Sequence, residues 1–248
     1  MKVNVGIIGC GIIGGALKRW ISEYNSDCNL LVSDPPKGIN DNISIADIFF
    51  ISIHIPTEND STQDLSLLKE IIRGLPDKPI FIRTTLIPGT IDLLRRDLNK
   101  NIFFMPEFLS ERTAYEDFCY QPMVFCGEID LLKKIFVGKE YKTMTSLEAE
   151  IAKYAHNVFG ALKVTYFNGI YELAVKNNCN YERIREGVLL SGYINDTHTM
   201  VPGHDGKFGY GGKCFPKDVN AFARLTEGTH LGEMIKTIKN NNEYYRSK

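Results

Sequence analysis

Cys214 combines a reactive type of side chain with an unusual local sequence. It lies in the segment FGYGGKCFPKD, residues 208–218, and Pro216 favours a helix that begins directly after it. A cysteine at a helix N-terminus lies in a positive potential, to which Lys213 and Lys217 add, so the thiolate is favoured. The segment therefore predicts a nucleophilic thiol, with an inert loop cysteine as the alternative.

Three other polar side chains have spacings that suit the same chemistry. Asp218 follows Cys214 by one helical turn, where a carboxylate can handle a proton or a water molecule. Lys153 and Asn157 are one turn apart in a long predicted helix, so they share a face. The ammonium and the amide can bind the same oxygen and stabilise a developing oxyanion. A helical lysine is usually solvated, so this pair carries weight only together with the cysteine.

A glycine-rich turn near the start of the chain indicates a dinucleotide site. Residues 9–14, GCGIIG, fit G-x-G-x-x-G, in which the second glycine lets the backbone approach a pyrophosphate. Asp34 is placed to bind the adenosine ribose hydroxyls, which favours NAD over NADP, although Lys37 nearby is compatible with a phosphate. A purely structural glycine turn is the alternative. The candidate cofactor contacts are Gly9, Gly11, Ile12, Ile13, Gly14 and Asp34.

The first half of the chain alternates strand-like and helix-like runs. This pattern predicts an α/β fold with a Rossmann-like, doubly wound parallel sheet. The predicted strands are residues 3–8, 29–33, 48–53, 79–83, 102–104 and 123–126. The predicted helices among them are residues 15–23, 64–73 and 90–99.

The second half is predicted to be all-helical. Between residues 146 and 176, apolar positions recur at helical spacing without a proline, which predicts a connecting helix roughly 45 Å long. Ser146 is its predicted N-cap. We expect an NAD-binding domain at residues 1–145 and a helical domain with the candidate cysteine at 146–248. The apolar face of the long helix predicts a homodimer. Further helices are predicted at residues 181–190, 216–225 and 231–244.

The composition excludes several classes of protein. The 248 residues include 29 Lys and Arg and 30 Asp and Glu, and the net charge of -1 disfavours nucleic-acid binding. No run of roughly 18 apolar residues predicts a membrane span, and the start lacks the layout of a signal peptide. The six cysteines form no C-x-x-C pair, which predicts a reducing cytoplasm. No cluster has the spacing of metal ligands.

The motifs together resemble the UDP-glucose/GDP-mannose dehydrogenase family. They run in family order from Val3 to about Asn242. The resemblance implies NAD-dependent, four-electron oxidation of the primary alcohol of a nucleotide sugar to the acid, with UDP-glucose as the expected substrate. The matching segments are the glycine turn, IPT at 55–57, DLS at 64–66, TT at 84–85, GT at 89–90, PEFLSE at 106–111, EAEIAK at 148–153 with Asn157, and GYGGKCFPKD at 209–218.

The resemblance also implies a role for each matching residue. Cys214 captures the aldehyde as a thiohemiacetal, and a second hydride transfer gives a thioester that water hydrolyses. His198 stands where the family often has an arginine and is a weaker donor. The implied catalytic residues besides the cysteine are Lys153 and Asn157 for the oxyanion, Glu107 as acid or base, and Thr85 and Asp218 for water and proton transfer. Further implied cofactor contacts are Pro56, Thr57, Thr85 and Glu111. The implied substrate contacts are Glu107, Phe108, Leu109, Lys153, Asn157, His198, Phe208, Gly209, Tyr210 and Gly211.

Besides the replaced residues, among them Ile55 and Lys213, the chain departs from the family pattern in its architecture at two places. Only 13 residues separate Asp34 from Ile48, where the family has a helix and a strand, so we expect a sheet one strand short. The chain also ends soon after the helices that follow Cys214, so we expect the third, nucleotide-binding domain to be absent. A two-electron dehydrogenase of a small hydroxy acid is the alternative function, and an NAD-binding protein without catalysis is a third. Cys214 separates them, because a two-electron enzyme does not need it.

Overall fold

The computed structural model describes residues 2–56 and 62–248. The chain divides into two compact units, Met1–Lys153 and Tyr154–Lys248. One helix, Ser146–Lys176, runs from the first unit into the second. The boundary predicted at residue 145 falls directly before this helix.

The first unit is built on a sheet in which six strands are described, in the order β3-β2-β1-β4-β5-β6. All neighbouring strands are parallel except β2 and β3. The predicted Rossmann-like fold is thereby confirmed. The strands are β1 (Val3–Ile8), β2 (Cys28–Asp34), β3 (Ile39–Asn40), β4 (Ile48–Ile51), β5 (Ile80–Ile82) and β6 (Ile102–Phe104).

Helices cover both faces of this sheet, which explains why β4 and β5 are uniformly apolar. Along β4, Phe49 and Ile51 pack with the helices α2 and α3, whereas Ile48 and Phe50 pack on the opposite side with α1, α4 and α5. All four side chains are fully buried. The helices are α1 (Ile12–Tyr24), α2 (Ser66–Gly74), α3 (Thr90–Leu98), α4 (Ala114–Tyr120) and α5 (Ile129–Ile135).

The short connection between β2 and β4 takes the place of the missing helix and strand. It consists of two 3-10 turns, Pro35–Lys37 and Ile43–Ile45, around the two-residue antiparallel strand β3. Asp41 stabilises this edge, because its carboxylate accepts the Val32 backbone N–H at 2.8 Å. The sequence predicted a sheet one strand short. At this edge the structure has the two-residue antiparallel strand β3.

A second, two-stranded parallel sheet completes the first unit. Its strands are β7 (Met123–Phe125) and β8 (Tyr141–Thr143). The sequence patterns did not predict β8, α4 or α5, since each is only three to seven residues long. Such short elements carry too few positions to show a period.

The second unit is helical, as predicted. It contains most of α6 (Ser146–Lys176), followed by α7 (Tyr181–Leu189), α8 (Phe215–Leu225) and α9 (His230–Arg246). The N-cap prediction for α6 is wrong by one residue: Thr145 forms a capping box with Glu148, and Ser146 is the first helical residue. Among the described residues, no helix has the length and apolar character needed to cross a membrane.

Candidate active site

Two of the three glycines in the predicted dinucleotide turn are required by packing, and the third leaves the backbone open. Gly9 has a φ of 81°, and a Cβ added there would lie 2.6 Å from the Ser52 carbonyl oxygen. A Cβ on Gly14 would lie 2.0 Å from the Gly9 carbonyl oxygen, so α1 packs directly on the turn. A Cβ on Gly11 would meet nothing within 4 Å. The backbone is therefore open at the position where the pattern requires close approach to a pyrophosphate.

The N-terminus of α1 lies beside this open position. Ile12 and Ile13 are its first two residues, so their backbone N–H groups belong to the first turn, which has no partners within the helix. No acidic side chain occupies that turn. Both properties favour an anionic group there.

Asp34 ends β2 next to the turn and is only 9% exposed. Its Oδ2 accepts the Cys10 backbone N–H at 2.8 Å and lies 3.6 Å from Lys37 Nζ. Lys37 also donates to the Cys10 carbonyl oxygen. An ionised carboxylate has capacity for further donors, such as the hydroxyls of a ribose. The residues present therefore fit a dinucleotide whose adenosine ribose binds at Asp34.

Two more predicted cofactor residues lie in the loop that follows β4 and in the loop that follows β5. Pro56 is exposed, and Thr57 lies outside the described residues. Thr85 is half-buried, and its carbonyl oxygen accepts the side-chain amide of Gln63 at 2.9 Å. The Gln63 Oε1 also accepts the Ile87 N–H at 2.9 Å. Gln63 thus holds the Thr85 turn, a role that sequence reasoning missed because the contact is long-range.

Lys153 and Glu107 form a buried ion pair in the first unit. The two side chains are 4% and 8% exposed, and Nζ lies 3.0 Å from Glu107 Oε1. Lys153 also donates to the Glu107 carbonyl oxygen at 2.6 Å and lies 5.6 Å from the centre of the Phe108 ring. The other carboxylate oxygen accepts the Leu109 N–H at 2.7 Å. Glu111 lies outside this cluster and is exposed.

A buried ion pair of this kind adds little net stability to the fold. Burying two charges costs several kcal/mol per ion, which their attraction repays only when the remaining polar groups are also bonded. Glu107 meets that condition through the backbone N–H of Leu109. The pair therefore places a cation and a carboxylate in a fixed, dry arrangement, as oxyanion stabilisation and proton transfer require.

Arg83, at the end of β5, is a buried cation that the sequence analysis did not single out. It is 1% exposed, and its Nε and Nη1 have no hydrogen-bond partner among the described residues. Burial lowers the pKa of the guanidinium to about 10, and the Glu107 carboxylate opposes that shift. The local signal was an arginine directly after an apolar strand and before two threonines. The Glu107 carboxylate thus interacts with two cations.

Asp218 and Asn157 form the corresponding buried contact in the second unit. Asp218 is fully buried; its Oδ2 accepts the Asn157 side-chain amide at 2.6 Å, and its Oδ1 accepts Lys217 Nζ at 2.6 Å. His156 Nδ1 lies 3.0 Å from Asn157 Oδ1. Lys217 was predicted to act on the thiol, but its ammonium forms an ion pair with Asp218.

Cys214 occupies the N-cap position of α8, as its sequence predicts, and it is exposed. The next residue, Phe215, packs the start of α8 against Gly160 of α6. A Cβ added to Gly160 would lie 2.7 Å from the Phe215 ring. Asp218, one turn into α8, is bound to Asn157 on the same helix α6. The cysteine is thus presented by a helix start that is fixed to α6 at two points.

The predicted substrate loop contacts the same aromatic ring. His198 adopts a left-handed backbone with φ of 66°, and its ring centre lies 5.1 Å from that of Phe215. The pKa of the His198 imidazole is lowered, first by loss of hydration and then by the nearby positive charges of Lys163, His156 and His204. Loss of hydration and the neighbouring nitrogen groups therefore both favour the neutral imidazole.

The glycines before the cysteine have a packing explanation in addition to the ligand explanation. A Cβ on Gly209 would lie 2.5 Å from Asn242 Oδ1, and one on Gly211 would lie 2.8 Å from the Arg246 side chain, both on α9. Tyr210 is buried between them and its backbone N–H donates to Asn242 Oδ1 at 2.6 Å. Phe208, half-buried, packs in the small core of this unit.

Comparison with known proteins agrees with the motifs. Residues 147–244 match the model of the UDP-glucose/GDP-mannose dehydrogenase family, central domain. A UDP-glucose 6-dehydrogenase of Rickettsia conorii is 28% identical over 223 residues, which cover 82% of this chain and 50% of the relative. A GDP-mannose 6-dehydrogenase of Pseudomonas aeruginosa is 28% identical over 227 residues, covering 79% of this chain and 51% of the relative.

The fold is likewise shared with a solved structure. A UDP-glucose dehydrogenase from the archaeon Pyrobaculum islandicum superposes with a TM-score of 0.83 at 23% identity, covering 98% of this chain and 68% of that one. Residues 147–244 thus match the central domain of a family of nucleotide-sugar dehydrogenases, and most of the chain is similar to UDP-glucose and GDP-mannose 6-dehydrogenases at 28% identity. The chain spans about half the length of the curated relatives it matches.

Proposed function

We propose that this protein is an NAD-dependent dehydrogenase that oxidises the primary alcohol of a nucleotide sugar twice, to the acid, through a covalent bond to Cys214. The observation that carries the proposal is the pair of buried polar contacts on consecutive turns of α6. Lys153 is bound to Glu107, and Asn157 is bound to Asp218, four residues after Cys214. A lysine, an amide, two carboxylates and a thiol are the groups that such chemistry needs.

The residues proposed to hold NAD are the glycine turn, Asp34, Pro56, Thr57, Thr85 and Glu111. The support is the open backbone at Gly11 and the partly bonded carboxylate of Asp34. When bound, NAD accepts the hydride of each oxidation. This assignment makes residues 1–145 the cofactor-binding domain and leaves the thiol chemistry to residues 146–248.

The second oxidation proceeds through a covalent intermediate on the thiol of Cys214. Its thiolate attacks the aldehyde carbon, and the carbonyl oxygen becomes an oxyanion that Lys153 and Asn157 stabilise. Loss of hydride from the resulting thiohemiacetal leaves a thioester. Water then attacks the thioester carbon, and the C–S bond breaks to release the acid and the thiolate. Glu107 takes the proton of that water, while Asp218 and Thr85 orient it.

We assign UDP-glucose as the substrate because Rickettsia conorii has a relative of that activity, with GDP-mannose as the competing sugar nucleotide. The proposed contacts to the sugar nucleotide besides Lys153 and Asn157 are Glu107, Phe108, Leu109, His198, Phe208, Gly209, Tyr210 and Gly211. The contact of the His198 ring with Phe215, the residue after Cys214, supports the place of His198 among these contacts.

A homodimer through α6 is part of the proposal. Phe159, Tyr166 and Leu173 follow one another at intervals of seven residues and are 64%, 58% and 56% exposed. Two apolar depressions, with cavity volumes of about 430 and 400 Å³, both include Tyr166 in their lining. A second copy of this helix would cover them.

Light scattering at micromolar concentration tests the dimer. Tyr166→Glu should halve the measured mass, whereas Val175→Glu, which is equally exposed but lies away from this row, should leave it unchanged. A wild-type monomer would contradict the dimer.

The function is tested by the stoichiometry of NADH per product for the purified chain with NAD and UDP-glucose. We expect two NADH per molecule of UDP-glucuronate, and loss of acid formation in Cys214→Ser. Cys179→Ser is the matched control, since Cys179 is an exposed cysteine of the same unit. One NADH per product would favour the two-electron alternative. Calorimetric NAD binding without any turnover would favour a non-catalytic protein.

A further inference from the structure

Four buried polar residues form one stripe along the first three turns of α6. Ser146, Glu150, Lys153 and Asn157 are spaced by four, three and four residues, and each is at most 5% exposed. At about 100° per residue these intervals keep all four within roughly 60° of one another around the helix. We call this set the polar stripe. Its last two members already have proposed roles, whereas the first two have none.

The first two members of the polar stripe bind backbone groups of the first unit. Ser146 Oγ accepts the Phe104 N–H of β6 at 3.2 Å and an Nη2 hydrogen of Arg95 at 3.0 Å. The Glu150 carboxylate accepts the Gly89 N–H at 2.8 Å and the Ile91 N–H at 3.0 Å. Those two amides lie at the start of α3, where helical donors lack intrahelical partners.

The geometry of Glu150 is unusually constraining. Each of its oxygens binds a different amide, so the carboxylate can neither rotate nor slide without losing a bond. Lys153, three residues on, has its ammonium on both the carbonyl and the carboxylate oxygen of Glu107. A helix rises about 1.5 Å per residue, so one fixed point at Glu150 determines the place of Lys153 along and around the axis.

Stability alone does not explain a carboxylate at this position. Glu150 is 1% exposed, and removing a carboxylate from water is unfavourable even when it is hydrogen-bonded. An uncharged acceptor would satisfy one of the amides at a smaller desolvation penalty. The effect that distinguishes a carboxyl group here is therefore geometric, since its two oxygens bind two amides at once.

We propose that Glu150 is a positioning residue: by binding the Gly89 and Ile91 amides it sets the register of α6 so that Lys153 meets Glu107. The consequence for turnover rests on the proposed function of Lys153. The consequence for the position of Lys153 does not, so it is measured separately.

The position of Lys153 is measured by the rate at which an amine-acetylating reagent modifies it, followed by peptide mass spectrometry of the whole folded chain. We expect Lys153 to be protected in the wild type and to be acetylated at least about 10-fold faster in Glu150→Ala. Glu148→Gln is the matched control: it neutralises an exposed glutamate of the same turn but keeps an acceptor for the capping box. It should leave Lys153 protected.

Lys139 reports whether a variant is still folded, because its ammonium binds three backbone carbonyls at the C-terminal end of α4. If protection of Lys139 is lost as well, Glu150→Gln replaces the alanine variant, since it keeps the shape and one acceptor oxygen. A folded variant at position 150 in which Lys153 remains as protected as in the wild type overturns the proposal.

The kinetic consequence is a fall in kcat of roughly 10- to 100-fold, the range expected for a catalytic group displaced by up to about 1 Å. The KM for NAD should change by less than about twofold, because Glu150 lies outside the glycine turn. If the wild type shows no turnover while the acetylation result holds, the proposed function fails and the positioning role stands. A fall in kcat with unchanged Lys153 protection refutes the positioning role.

Discussion

Gly160→Ala tests how the start of α8 is fixed to α6. The new Cβ would lie 2.7 Å from the Phe215 ring, closer than real Cβ contacts allow, and its next contact would be 3.2 Å away. Phe215 cannot simply move aside, because its ring also contacts His198 and Tyr210, with ring centres at 5.1 and 6.3 Å. Relief of the overlap therefore shifts the residue next to Cys214.

Two opposing free energies determine the size of the effect. Replacing glycine by alanine inside a helix contributes about 1 kcal/mol of stability. Overpacking of a filled site costs about 1 to 3 kcal/mol. We therefore expect the free energy of unfolding to change by between about 0 and −2 kcal/mol. Turnover should fall as well, because the displaced element carries the thiol.

Gly187→Ala is the matched control in α7, where an added Cβ meets nothing within 4 Å. It should raise the free energy of unfolding by about 1 kcal/mol and leave turnover unchanged. Urea denaturation of the two variants should therefore differ by about 1 to 3 kcal/mol. Equal stabilisation of both variants, with wild-type turnover, would refute the idea that Phe215 is tightly seated on Gly160.

Three further perturbations have defined expected outcomes. Burial raises the pKa of Glu150 to about 7, with Asp92 adding to the shift and Arg95 opposing it. Its contribution to stability is therefore greatest below the unfolded pKa near 4.5 and falls as pH rises through 7, by about 3 kcal/mol in all. Urea denaturation between pH 4.5 and 8 should show this loss in the wild type, and Glu150→Gln should lack it; identical slopes would contradict the assignment. Asp34→Asn should weaken NAD binding by roughly 10- to 100-fold in calorimetry, since a hydrogen bond to a charged acceptor contributes about 1.5 to 3 kcal/mol. It should also bring the affinity for NADP closer to that for NAD. Unchanged NAD affinity would place the ribose elsewhere. Arg83→Met should leave the free energy of unfolding unchanged or raise it by about 1 to 3 kcal/mol, because it removes a desolvated charge with two unbonded donors. A clear loss of stability in thermal denaturation would show that the guanidinium has a partner.

Local patterns predicted the parts of the molecule that depend on neighbours in sequence. The glycine turn, the N-cap position of Cys214 and the length of α6 all follow from spacings of one to four residues, and the structure has each of them. The Lys153 and Asn157 pair was found in the same way, from a one-turn interval.

Contacts between distant segments were not predictable from one sequence. Gln63 and Glu150 act through backbone amides 24 and 61 positions away, and a backbone amide leaves no signal in the residue type that carries it. The Lys153–Glu107 contact was also invisible, although both residues were singled out. At Gly209 and Gly211 the sequence pattern indicated a ligand. The structure shows that close packing against α9 also requires a glycine at each position.

The unbroken course of α6 restricts how this protein can change in length. Lys153 and Asn157 are separated by four residues, or about 6 Å along the axis, and no loop lies between them. A single inserted residue would turn one donor about 100° away from the other, and no side-chain rearrangement could restore their common direction. If both donors bind one oxygen, as proposed, the chain can gain or lose residues in its surface turns, but the interval between these two donors must remain four residues.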